Sequence, residues 1–165
     1  MTVGSGDDTT TIRLRPAAPM PTVWIGGSSP AALRRTVRFG DGWLGALLTP
    51  VEFGRTRDRL RELADAADRP VPRLGLVTHA AIARTDHRSL HGTAAAVLRR
   101  AYGLSQEQPE QLAVTGTPVQ VAHHLAEYVA LGVEHLVVIN DRTPWPQACD
   151  LLRETRDALA QISGT

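Results

Sequence analysis

Thr22-Val23-Trp24-Ile25-Gly26-Gly27-Ser28-Ser29-Pro30 joins a short apolar run to the start of a helix. Pro21 bounds the run on one side and Gly26-Gly27 on the other, the profile of a strand buried in a parallel sheet. Ser29 places a hydroxyl before a proline. The hydroxyl can cap an orphan N–H, and the proline suits the first helical position because its missing N–H costs nothing there. Two glycines let a ligand approach the backbone, the first helical N–H groups point outward, and the serine hydroxyls add donors. Gly26, Gly27, Ser28 and Ser29 therefore form a candidate cradle for a phosphate group. A tight strand-to-helix turn that binds nothing is the competing reading. No Gly-Lys-Ser/Thr follows, so this is not a P-loop, and the third glycine of a dinucleotide fingerprint is missing.

The same punctuation recurs along the chain. Thr49-Pro50, Thr117-Pro118 and Thr143-Pro144 announce further helices, with Glu52 and Gln120 completing capping boxes. Gly40 and Gly132 read as left-handed C-terminal caps. The spacing predicts helices over 30–39, 50–67, about 93–103, 118–131 and about 144–161. Strands are expected at 22–25, 41–44, 73–78 and, most clearly, His135-Leu136-Val137-Val138-Ile139. Strands alternating with helices in this way imply parallel strands joined by right-handed crossovers. Residues 1–18 read as a disordered or extended tail, with Ser105–Glu110 a polar loop, and 19–165 as one domain.

The run Pro21–Arg35 followed by Phe39-Gly40-Asp41-Gly42-Trp43 resembles the luciferase-like monooxygenase family. Thr49-Pro50 before an Arg- and Leu-rich helix, Gly116–Ala122 and Leu131–Val138 are similar to it too, so the likeness runs from about Pro19 to the end. It implies a partial (β/α)8 barrel of α/β class, about the last four β/α units. It also implies that Gly26, Gly27, Ser28 and Ser29 hold the phosphate of coenzyme F420 or FMN, and that a small molecule is the substrate. A complete barrel of this type needs about 250 residues, and the chain has 165. The family's usual catalytic groups come from the N-terminal half, so no catalytic residue is assigned. A homodimer, a complementary N-terminal half, and a non-catalytic interaction module or inactive remnant all stay open. So does an unrelated phosphate-binding domain with an open, doubly wound sheet.

Other residues carry weaker expectations. Asp41 reads as a turn residue and Trp43 as core, while Leu44, Ala46, Leu47 and Leu48 would wall the active rim. His79 ends a strand on that rim and is the best histidine for chemistry, although a satisfied or surface imidazole is the favoured reading. His87/His91 lack an intervening Glu and the neighbours His123/His124 cannot converge, so no metal site is read. Arg34 or Arg35 reaching the phosphate is weighed equally against solvation. Arg55, Arg57, Arg59 and Arg61 read as a solvated face, and Cys149 as packing. With a net charge of +1 there is no strong pull toward nucleic acid or anionic membrane. All 18 basic residues are Arg, which excludes a lysine Schiff base. One cysteine suits a cytoplasmic setting, and no apolar run reaches the roughly 18 residues of a membrane span.

Overall fold

The computed structural model describes residues 2–3, 10–11, 19–84, 87–104, 111–140 and 144–164. Thr2–Val3 (β1) and Thr10–Thr11 (β2) pair antiparallel within the segment expected to be a tail. The main sheet is parallel and contains Trp24–Gly26 (β3), Gly42–Ala46 (β4), Arg73–Ile82 (β5), Val114–Gly116 (β6) and His135–Asn140 (β7). Between and after these strands run Pro30–Phe39 (α1), Pro50–Ala66 (α2), His87–Tyr102 (α3), Pro118–Ala130 (α4) and Trp145–Ser163 (α5).

β5 organises the sheet. Gly75–Val77 pair with β4 and β7 at once, so those strands occupy opposite edges of β5. Ala80 is shared by β7 and β6, which puts β6 on the β4 edge, beyond the end of β4. Among the described residues β3 pairs only with β4, and β7 only with β5. Each of these strands thus keeps one edge that no described residue pairs.

The expected caps account for where the helices begin. Ser29 accepts the Ala32 N–H at 3.2 Å, and Thr49/Glu52 and Thr117/Gln120 form complete capping boxes. Each box is worth on the order of 1–2 kcal/mol. Thr143 lies outside the described residues, as does the expected loop Ser105–Glu110, and among the described residues no side chain caps α5. Gly132 does have a positive φ of 94°. Gly40 corrects its expectation: its backbone is extended, with φ −99° and ψ 149°. Glycine is needed there for room, because a Cβ would lie 3.0 Å from the Thr36 carbonyl oxygen. β5 runs four residues past the expected end, α3 begins six residues earlier than expected, and β6 was not foreseen.

One face of the sheet packs under the helices. Leu33, Val37, Trp43, Phe53, Leu60, Leu74, Leu76 and Tyr128 form one buried cluster, and Ala80, Ile82, Val114, Val121, Leu125 and Leu151 a second. Trp43 and Phe53 pack tilted at 37°, with ring centroids 4.9 Å apart, and Phe53 meets Tyr128 edge-on at 5.7 Å. Alternation along the strands sends Leu44, Val77, Val137 and Ile139 to the other face.

Trp24 lies across that second face. Its ring stacks on His135 of β7 at 5.1 Å, and it can cross β4 and β5 only because Gly42 and Gly75 present no side chain there. A Cβ on Gly42 would fall 2.4 Å from Trp24 Cε3, and one on Gly75 2.9 Å from Trp24 Cζ3. Gly42→Ala is therefore expected to destabilise the chain by about 1–3 kcal/mol, the range for overpacking. Denaturant unfolding of the variant checks this, and an unchanged midpoint would show that Trp24 is free to move aside.

Candidate functional site

Because the strands are parallel, their carboxyl ends gather at one rim. Registers place Gly26 beside Leu44, Ala46 beside Val77, and His79 beside Ile139. The turn Gly27–Ser29, the segment Leu47–Leu48 and His79 all sit at this rim.

In the turn, Gly27 has φ 100°, a region that L side chains rarely enter. Gly26, Gly27, Ser28, Ser29 and Pro30 are all exposed. The α1 terminus is partly satisfied internally: Leu33 donates to the Ser29 carbonyl at 3.0 Å, and Ala32 donates to Ser29 Oγ. Pro30 has no N–H to offer. Among the described residues, no acceptor takes the N–H groups of Ser28, Ser29 or Ala31. The site therefore offers three backbone donors, the Ser28 hydroxyl and the remaining proton of the Ser29 hydroxyl, all at the positive end of a ten-residue helix.

Trp43 is fully buried, as expected of core, yet its indole N–H leaves the core to donate to the Gly27 carbonyl at 2.9 Å. Sequence reading missed this bond, which links residues 16 positions apart. Asp41 is a turn residue: its Oδ2 accepts the Val23 N–H at 2.8 Å. That bond anchors the approach to β3 from the strand's lower end.

At the rim after β4, Leu47 has φ 54°, an uncommon conformation for a branched side chain. Leu48 offers its carbonyl to the Tyr128 hydroxyl at 2.8 Å. Leu44, Leu47 and Leu48 are half-buried and Ala46 is exposed. Burial in this apolar setting, with Glu127 and Glu52 adding to it, pushes the Tyr128 hydroxyl up to about 12. Its folded value thus lies above the ordinary 10.0, so the stability drawn from this site is complete below pH 10 and is lost as pH rises through about 12. An absorbance titration should show a tyrosinate appearing only near pH 12 that is missing from Tyr128→Phe. Its appearance near pH 10 would contradict the buried bond.

His79 Nε2 lies 2.8 Å from the Tyr102 hydroxyl, a satisfied imidazole in keeping with the favoured reading. His79, Leu47, Leu48 and Tyr128 border a crevice of about 10 Å³, room for roughly one water. Asn140 ends β7 with its Oδ1 buried and, among the described residues, without a hydrogen-bond partner. Nothing in the sequence marked it, because the shortfall arises from packing. The larger grooves, about 370 and 430 Å³, lie in the helical layer between α1 and α2 and between α2 and α4. Neither includes a residue of the turn.

The remaining expectations divide. Arg57 is not simply solvated, since it pairs with Asp58 and donates to the Leu131 carbonyl at 3.2 Å. Arg34 and Arg35 are exposed on α1, and no contact of either with the turn is seen. Cys149 is an exposed free thiol and does not pack in the core. His91 meets Thr115 at 3.1 Å, the side chain of His87 lies outside the described residues, and His124 faces Glu127 at 3.7 Å. Among the described residues no group of three or more His, Cys, Asp or Glu could hold a metal ion, and no helix is long and apolar enough to cross a membrane.

A profile of the luciferase-like monooxygenase family matches residues 4–98. The match takes in the turn and Gly40–Trp43 and ends within α3, so the motifs at 116–122 and 131–138 lie beyond it. Comparison with curated proteins gives no match. Among solved structures, an F420-dependent secondary alcohol dehydrogenase in complex with an F420–acetone adduct superposes with a TM-score of 0.71 at 12% identity, over 96% of this chain and 56% of that one. A coenzyme F420-dependent tetrahydromethanopterin reductase from Methanopyrus kandleri gives 0.61 at 17%, over 78% and 48%. An EDTA monooxygenase from Chelativorans sp. BNC1 gives 0.61 at 20%, over 92% and 46%. The chain spans about half the length of these structures. The parallel sheet with its helices is thus the expected partial barrel.

Proposed function

This chain belongs to the luciferase-like monooxygenase family, and from that premise we propose that it is part of an oxidoreductase that holds coenzyme F420 or FMN by its phosphate at Gly26, Gly27, Ser28 and Ser29. The observation that carries the reading is the exposed turn itself. Its N–H groups at Ser28, Ser29 and Ala31 meet no described acceptor, and Gly27 at φ 100° leaves the backbone bare to an anion. Two solved structures of similar fold are of F420-dependent enzymes, which favours the same cofactor chemistry here.

Bound at the rim, such a cofactor would supply hydride transfer, or oxygen activation in the case of FMN. The chain's own part is to bind and orient. Ser28 and Ser29 donate to phosphate oxygens, the α1 dipole favours the negative charge, and Leu44, Leu47 and Leu48 offer apolar surface to a ring or a small-molecule substrate. A reducing cytoplasm suits the single free thiol at Cys149.

The edges of β3 and β7 that no described residue pairs, with Leu44, Val77, Val137 and Ile139 between them, call for a cover. A complementary N-terminal barrel half or a second copy of the chain would provide it. Light scattering of the chain alone, and with that half supplied, separates the two. The second reading, a non-catalytic half-barrel module, rests on the same open edges and predicts stable oligomers that neither cofactor alters.

The test of the main reading is titration of the chain, alone and with a supplied N-terminal half, with coenzyme F420 and with FMN. Saturable quenching of cofactor fluorescence, or a raised melting temperature, is expected for one of them. No response to either overturns the assignment.

A further inference from the structure

We infer that Trp43 is a positioning residue for the phosphate site: its buried indole N–H holds the Gly27 carbonyl and thereby aims the Ser28 N–H outward. The inference rests on the phosphate reading above and adds a residue that never touches the ligand.

The argument follows from the planarity of the peptide group. The Gly27 carbonyl and the Ser28 N–H belong to one peptide plane and, in a trans amide, point in opposite directions. The carbonyl points inward to Trp43 Nε1 at 2.9 Å, so the Ser28 N–H points away from the buried tryptophan, and Ser28 is exposed. Glycine alone would not fix this plane, because a residue without Cβ passes readily between positive and negative φ. Something must choose the orientation, and the indole N–H is the side-chain donor that reaches the Gly27 carbonyl.

The indole is itself held in place. It is 0% exposed, and the Phe53 ring packs tilted against it with centroids 4.9 Å apart. Gly45 leaves room for its far edge, since a Cβ there would sit 2.9 Å from Trp43 Cη2. A ring so confined cannot follow the carbonyl if the turn swings, so it acts as a fixed latch. An unpaired N–H inside this apolar cluster would be costly, which ties the core to one orientation of the turn. The core of α2 and the rim are in this way mechanically joined through a single hydrogen bond.

The test is Trp43→Phe, which keeps an aromatic ring against Phe53 and removes the N–H. Dissociation constants are measured for FMN against riboflavin, and for coenzyme F420 against its phosphate-free deazariboflavin, using whichever pair the wild-type chain binds. The variant is expected to lose about tenfold in affinity for the phosphate-bearing member, the worth of one aimed hydrogen bond, with the phosphate-free member unchanged. Equal losses for both members, or no loss for either, would overturn the role of Trp43. A wild-type chain that binds both members equally would instead overturn the phosphate reading beneath it. Should the variant fail to fold, the wild-type indole N–H resonances give the answer. On saturation with the cofactor that of Trp43 should shift while that of exposed Trp145 stays put, and a stationary Trp43 resonance overturns the inference.

Discussion

Replacing glycine 27 with valine (Gly27→Val) should leave a folded chain that no longer binds a phosphate-bearing cofactor. Position 27 has φ 100°, where a β-branched residue is a genuine outlier, and a Cβ would stand 3.2 Å from the Ala32 Cβ. The turn must therefore rotate out of its present shape, and the Ser28 and Ser29 N–H groups lose their common direction. Forcing a branched residue into this region costs about 1–2 kcal/mol, a modest share of a typical 5–15 kcal/mol total, because the turn is exposed and can relax. Binding should suffer more. Two misdirected donors to an anion, each worth about 1.5–3 kcal/mol, together weaken the complex by roughly a hundredfold or more. Titration with coenzyme F420 or FMN beside a melting curve separates the effects, and an unchanged dissociation constant in a folded variant would contradict the site.

Phe53→Ala carries the largest expected loss of stability. Phe53 is 0% exposed and lies between Trp43, at 4.9 Å, and Tyr128, at 5.7 Å. Removing its ring forfeits the transfer energy of the buried carbons and leaves a cavity among rigid aromatics, about 3–5 kcal/mol in all. For a chain of this size the melting temperature should fall by roughly 10 °C. The same substitution loosens the wall that confines Trp43, so cofactor affinity should fall with it. Phe39→Ala is the control, since Phe39 is 62% exposed and its loss should stay within about 0.5 kcal/mol. Similar losses for the two variants would mean that the aromatic cluster is not the centre of the core.

Much of this fold is legible in short range. Ser29-Pro30, Thr49-Pro50 and Thr117-Pro118 set helix starts through bonds that span three residues, and the structure shows those bonds. What escaped is decided at long range. β5 continues through Ala80, Ala81 and Ile82, where two alanines give little strand preference, because β6 and β7 pair with it there. β6 has only three residues, too few for any periodicity to show. Gly40 looked like a left-handed cap because glycine after a helix usually is one, yet at this position it makes room beside the Thr36 carbonyl. Arg57 read as one of a solvated series because its partner, the Leu131 carbonyl, lies 74 positions away.

The candidate site divides along the same line. Its backbone, Gly26-Gly27-Ser28-Ser29 ahead of a capped proline, can be read from composition and order. Its control cannot. The bond from Trp43 to Gly27 joins two neighbouring strands, and the positive φ of Leu47 and the buried Oδ1 of Asn140, which no described residue meets, arise only when the rim is assembled. Trp24 likewise read as a strand residue, and its reach over Gly42 and Gly75 to His135 becomes visible only in the register of the sheet.

Backbone amide mapping by NMR reaches the central claim most directly. With saturating coenzyme F420 or FMN added to the isotopically labelled chain, the account predicts the largest amide shifts at Gly27, Ser28, Ser29 and Ala31, with smaller ones at Leu47 and Leu48. Shifts concentrated instead along the α1–α2 groove at Arg34, Arg38 and Arg69, with the 27–31 amides unmoved, would contradict it.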